Sequence, residues 1–139
     1  MPPTRRRGDP LQPSMLEPHS AAGLEEACAD VARALGLQVR RQVKVGRRVY
    51  GPVRHIDVVV TDTASRRSLG IECKFQRGKG TAEEKIPGTI EDIRAWPIQG
   101  IVCFAGDGFS THMISFMYAS GLGVDLADLE DWLRLYFVL

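Results

Sequence analysis

Two apolar stretches constrain this chain more than anything else in it: Arg54-His55-Ile56-Asp57-Val58-Val59-Val60 and Leu69-Gly70-Ile71-Glu72-Cys73-Lys74-Phe75-Gln76. β-Branched and apolar residues crowd both. Thr63-Ala64-Ser65-Arg66-Arg67 between them is turn-like, so each stretch reads as a β-strand. Successive side chains on a strand point to opposite sides, which puts Leu69, Ile71, Cys73 and Phe75 on one face and Glu72, Lys74 and Gln76 on the other. A carboxylate and an ammonium thus project side by side from an otherwise apolar strand. If the two strands pair as a hairpin, Asp57 lies beside Glu72. Two close carboxylates attract a hard divalent cation such as Mg²⁺, which takes oxygen ligands and keeps several waters. The plainer reading is a surface ion pair between Glu72 and Lys74, which would contribute little to stability.

This arrangement resembles the PD-(D/E)XK nuclease superfamily, in which an Asp on one strand is followed on the next by an acidic residue, any residue and a Lys. The matching residues are Asp57 and Glu72-Cys73-Lys74, with Ile56 where the family pattern has Pro. The resemblance covers about residues 20–105, and the Thr81–Lys85 run and the closing Asp-Leu-Glu-Asp-Trp-Leu-Arg segment also resemble small phage- or bacterium-type members. It implies an α/β, restriction-endonuclease-like αβββαβ core, with a mixed central sheet flanked by helices and further helices at the C-terminus. It also implies metal-dependent hydrolysis of DNA phosphodiester bonds. Asp57 and Glu72, with the backbone carbonyl of Cys73, would hold one or two Mg²⁺ ions, or Mn²⁺ in their place. Lys74 would orient the attacking water. Gln76 would hydrogen-bond the phosphate or the water, unless it is an ordinary exposed strand residue. An acidic residue on the first helix often completes such a site, which points to Glu25 or its neighbour Glu26, with Glu25 nearer the apolar stripe. The alternative on the same fold is a catalytically silent nucleic-acid-binding module, or a subunit that works only within a larger complex. Whether the DNA is duplex, branched or single-stranded stays open.

The remaining segments supply surroundings. At 139 residues the chain makes one domain, expected over residues 20–139, behind a Pro- and Arg-rich disordered arm over residues 1–19 that carries Arg5-Arg6-Arg7. Residues 20–35 read as a helix with Ser20 as N-cap and Gly36 as its stop. Residues 37–45 alternate as a half-buried strand. Net charge is only +1, but between Gln38 and Arg54 there is no acidic residue to balance Arg40, Arg41, Lys44, Arg47, Arg48 and Arg54. Such a basic hairpin suits a phosphate backbone, with Lys79 and Lys85 further on as added contacts. A solvated charged face is the competing view.

Thr81-Ala82-Glu83-Glu84 has capping-box form and opens a helix that Pro87-Gly88 interrupts. Residues 100–105 form a continuous apolar run, as in a buried strand. A helix follows over residues 110–120 with Met113, Phe116 and Met117 as its apolar side, then a short strand over 121–125 and a C-terminal helix over 126–137. On that last helix Trp132 and Tyr136, with Phe137, Val138 and Leu139 at its end, either close the domain's own core or form a two-fold homodimer. Cys28, Cys73 and Cys103 lack metal-ligand spacing and read as reduced core thiols in an intracellular, cytoplasmic protein with no membrane span. His19, His55 and His112 likewise lack ligand spacing, and His55 is expected to point away from Asp57.

Overall fold

The computed structural model describes residues 17–47 and 53–139. Arg5-Arg6-Arg7 and most of the expected arm, together with Arg48, therefore lie outside the described residues. The elements run α1 (Ala21–Ala34), β1 (Gln38–Arg47), β2 (Val53–Asp62), β3 (Arg67–Phe75), a 3₁₀ turn (Ala82–Lys85), α2 (Ile86–Arg94), β4 (Gln99–Ala105), α3 (Thr111–Ala119), β5 (Gly123–Asp125), a second 3₁₀ turn (Leu126–Asp128) and α4 (Leu129–Phe137). The strands lie side by side in chain order. β1, β2 and β3 pair antiparallel, whereas β4 and β5 join in parallel. The change of direction follows from the connections: a tight turn joins β2 to β3, while β3 reaches β4 only through the α2 crossover. This is the mixed α/β sheet with the expected αβββαβ core.

Local signals place α1. The Ser20 hydroxyl accepts a hydrogen bond from Gly23 N–H at 3.0 Å, and Gly36 leaves the helix with φ +80°, a conformation that glycine adopts without strain. The stripe Leu24, Val31 and Leu35 is buried against Val58, Val60, Leu69 and Ile71 of the sheet, with Leu129, Leu133 and Phe137 of α4 beside them. On the opposite face Ile86, Ile90, Ile93 and Trp96 cover Ile56, Val59, Val102 and Phe104. Both faces being covered, β4 is buried from Gly100 to Phe104, which is why it reads as an unbroken apolar run. Among the described residues no helix is long and apolar enough to cross a membrane.

Three expectations are corrected. The Thr81 capping box does not form: Thr81 makes no side-chain cap and the segment is a 3₁₀ turn, in which Glu84 N–H donates to the Thr81 carbonyl at 3.2 Å rather than to its hydroxyl. Pro87 does not interrupt a helix but stands in the first turn of α2, where its missing N–H costs nothing. On α3 only Met117 is buried, Met113 is half-buried and Phe116 is exposed, since the helix packs at the sheet's edge rather than over it. Of the apolar residues at the C-terminus, Phe137 is buried and Trp132 and Tyr136 pack against the core, leaving Leu135, Val138 and Leu139 exposed.

Trp96 fits the sheet through a notch made by two glycines on neighbouring strands. A Cβ on Gly100 would lie 2.4 Å from the Trp96 ring, and one on Gly70 2.7 Å from it. Gly100→Ala should therefore lower stability by about 1–3 kcal/mol through overpacking. Gly88→Ala, inside α2 where a new Cβ meets nothing within 4 Å, should raise it by about 0.5–1 kcal/mol. Urea unfolding of both variants checks the contrast; a destabilised Gly88→Ala or an unaffected Gly100→Ala would contradict this packing.

Candidate active site

β2 and β3 are paired from Asp62↔Arg67 as far as Val58↔Ile71, and the ladder goes no further. On the other side of β2, Gln42 falls opposite Asp57 between the pairs Arg41↔Val58 and Val43↔Ile56, and its φ is +50°. Side chains take over where the ladder stops. Asp57 N–H donates to Glu72 Oε1 at 3.1 Å, and Cys73 N–H donates to Asp57 Oδ2 at 2.9 Å. Each strand thus gives a backbone N–H to the other strand's carboxylate. Gln42 Nε2 donates to Asp57 Oδ1 at 3.3 Å and to Glu25 Oε1 at 2.9 Å, linking α1 to the pair.

The structure separates the two helix glutamates. Glu25, with 17% of its side chain exposed, reaches toward Asp57 through Gln42. Glu26 is 55% exposed and engages Arg41 at 2.8 Å and Arg33 at 3.4 Å on the outside.

Glu72 is half-buried, and its carboxyl is pushed up to about 7, first by burial and then by the negative charge of Asp57. The Asp57 N–H and the Lys74 ammonium pull the other way without cancelling that rise. Lys74 lines a hollow of about 380 Å³ with Glu72, Glu84, Lys85, Thr89 and Asp92. A second hollow of about 290 Å³ meets Glu72 from the side of Arg54 and His55. His55 therefore lines a hollow with the same carboxylate; strand alternation does not place it relative to Asp57, since Ile56 and Val58, two apart, pack into opposite cores. A larger hollow, about 570 Å³, includes Phe75, Arg77, Asp107 and Asp125 but none of Asp57, Glu72 or Lys74, so size alone does not mark the chemistry.

Gln76 is only 4% exposed. Its Nε2 donates to the Gly108 carbonyl and its Oε1 accepts from Glu83 N–H, each at 2.8 Å. It is a buried clasp, not the exposed strand residue that one reading expected. The three cysteines are buried and free, and the fold gathers two of them, with Cys73 Sγ 3.7 Å from Cys28 Sγ. The hydrogen bond to Cys28 and burial push the Cys73 thiol up, which leaves its backbone as the part that meets the site.

The basic hairpin is less bare than its sequence. Arg41 pairs with Glu25 and Glu26, and Arg54 with Asp92 at 3.4 Å, while Arg54 Nε is buried without a hydrogen-bond partner among the described residues. Arg40, Lys44, Lys79 and Lys85 are exposed.

The donor set fits a hard divalent ion. Two carboxylates and the Cys73 carbonyl offer oxygen alone, and the raised Glu72 marks a pair short of positive charge. Among the described residues no three His, Cys, Asp or Glu side chains converge as ligands.

Residues 4–130 match the model of the PD-(D/E)XK nuclease superfamily domain. The chain belongs to that superfamily. Protein VC1899 from Vibrio cholerae has a similar fold, with a TM-score of 0.58 at 17% identity over 83% of this chain. This chain spans 33% of that protein's length, so the likeness concerns the fold. No curated protein matches the sequence. Where the superfamily pattern has Pro, Ile56 is wholly buried beneath α2.

Sequence reasoning missed Gln42, Thr89 and Asp92. At Gln42 the one local sign is the polar run Arg40-Arg41-Gln42, which breaks the alternation of the strand. For α2 a signal existed: Lys85, Thr89 and Asp92 recur at helical spacing, and that stripe faces Glu72.

Folded Glu72 keeps its proton up to about pH 7, whereas an ordinary glutamate loses it near 4.5. Between those values the folded state binds more protons than the unfolded, so this residue's contribution to stability falls as pH rises through the window and is level above it. The loss should not exceed about 3 kcal/mol. Urea unfolding in EDTA from pH 4 to 8 measures it, and Glu72→Gln should flatten that part of the profile; an identical profile in the variant refutes the assignment.

Proposed function

We propose that this chain is a divalent-metal-dependent nuclease that hydrolyses DNA phosphodiester bonds. The observation that carries the reading is the Asp57–Glu72 pair, cross-linked through the N–H groups of Asp57 and Cys73, with Lys74 on the same strand face as Glu72. Asp57, Glu72 and the Cys73 carbonyl would hold Mg²⁺, or Mn²⁺, and Glu25 stands behind them through Gln42. A bound ion of this kind polarises a phosphate and lowers the pKa of its water. Lys74 places an ammonium where it can orient the attacking water and offset charge developing on the phosphate, a role that a fixed cation plays without reorganisation. Arg40, Lys44, Lys79 and Lys85, with Arg47 and Arg48, would contact phosphates and carry no sequence preference. The exposed Leu135, Val138 and Leu139 are what a second copy would cover if two-fold cutting required one.

A silent binding module would need the basic hairpin alone. Arg41 and Arg54 are engaged by carboxylates, which weakens that reading and leaves the carboxylate pair as the stronger feature.

Lys74→Ala and Asp57→Ala should each lower cleavage by roughly 10²-fold or more, since each removes charge from the reacting centre. Labelled duplex, branched and single-stranded DNA, with RNA alongside, should be incubated with Mg²⁺ and with EDTA. Cutting that survives EDTA, or either variant matching the parent, would sink the proposal. A second comparison concerns the helix carboxylates. Glu25→Gln should slow cleavage and raise the Mg²⁺ concentration needed, whereas Glu26→Gln should do neither. The reverse pattern would move the helix residue by one position.

A further inference from the structure

The end of β3 does not run free beyond Lys74. Gln76, two residues on, is bonded by every polar atom it has. Its side chain holds Glu83 N–H and the Gly108 carbonyl at 2.8 Å each; its backbone carbonyl accepts from Gly108 N–H at 2.9 Å and its N–H donates to Ala105 at 3.2 Å. Close packing enforces the arrangement. A Cβ on Gly106 would lie 2.1 Å from the Gln76 carbonyl oxygen, and one on Gly108 2.1 Å from that of Gly78. One amide N–H of Gln76 is not used in these bonds, but at 4% exposure the side chain faces its backbone partners rather than an open surface where a phosphate would lie. What it holds matters instead. The 3₁₀ turn Ala82–Lys85 has no buried residue and no side-chain cap of its own; its far end is held by α2, where Thr89 Oγ1 donates to the Lys85 carbonyl at 3.0 Å, and its near end by Gln76. From the outside the Ser110 hydroxyl adds a bond to the Glu83 carboxylate at 2.8 Å. The turn ends at Lys85, which is exposed and lines the hollow that contains Glu72 and Lys74.

We propose that Gln76 is a positioning residue: it locks the Ala82–Lys85 turn onto the end of β3 so that Lys85 bears on the phosphate beside the one that is cut. The ligand class is a phosphodiester backbone, and the inference rests on the nuclease reading above. Lys74 and Lys85 then reach the same hollow from two elements, and the clasp sets the spacing between them.

The test is binding of labelled single- and double-stranded oligonucleotides in EDTA at several KCl concentrations. Four proteins are compared: the parent chain, Gln76→Ala, Lys85→Ala and the double variant. A cation that neutralises one duplex phosphate contributes about 0.9 to the slope of log affinity against log salt. Lys85→Ala should flatten the slope by that amount. Gln76→Ala, though it removes no charge, should flatten it similarly, and the double variant should lose nothing more. If Gln76 touched the phosphate itself, its loss would weaken binding at every salt concentration with the slope kept, and the two losses would add; that result overturns the proposal. Should Gln76→Ala fail to fold by circular dichroism, Gln76→Asn, which keeps the amide but is too short to hold Glu83 N–H and the Gly108 carbonyl together, takes its place without changing charge, and an unchanged slope there overturns the proposal equally. A parent chain that binds neither oligonucleotide would instead overturn the nuclease reading, and this inference with it.

Discussion

The exchange of backbone hydrogen bonds between Asp57 and the Glu72-Cys73 segment is the constraint on which the site depends. A ladder normally pairs N–H with C=O along its whole length, and an orphaned buried N–H is costly. Here the ladder stops at Val58↔Ile71, and the next donors, Asp57 N–H and Cys73 N–H, are satisfied by carboxylates on the opposite strand. That substitution holds two negative groups together in a half-buried setting. Burial first, and then the negative charge of Asp57, push the Glu72 carboxyl up to about 7.

The two-sided core makes the pair stiff. α1 and α4 cover one face of the sheet and α2 the other, so β2 and β3 cannot shift without unpacking Val58, Val60 and Ile71 on one side or Ile56 and Val59 on the other. The cover on each face also delivers polar groups. α1 brings Glu25 to Asp57 through Gln42, and α2 brings Thr89 and Asp92 to Glu72. The packed stripe of each helix fixes its rotation, and the residues flanking that stripe are then presented to the carboxylates. Beyond the strand, the Gln76 clasp extends this order to a turn that has no core of its own.

Charge was the least legible property. Arg41 and Arg54 sit in a stretch with no acidic residue, yet they are paired with Glu25 and Glu26 on α1 and with Asp92 on α2. Their partners are fifteen or more residues away and meet them only because helices cross the sheet. Gln76 shows the same limit. Strand alternation places it on the face of Glu72 and Lys74, but the loop after β4 and the 3₁₀ turn close over it. Thr81 shows it again: the local pattern fits a capping box, but Glu84 N–H donates to the Thr81 carbonyl in a 3₁₀ turn whose Glu83 N–H is held by Gln76.

The sequence by itself determined the order of elements, the caps of α1, the buried run of β4 and the coincidence of Asp57, Glu72 and Lys74 at one end of a strand pair. These follow from period-two and period-3.6 patterns and from turn chemistry, which act over a few residues. Only the tertiary structure decided that Gln42 bridges Glu25 to Asp57, that Trp96 fills the notch at Gly70 and Gly100, and which cations are neutralised. Those outcomes depend on distances between elements remote in the chain, and a hydrogen bond or ion pair exists only where packing brings its atoms within a few ångströms.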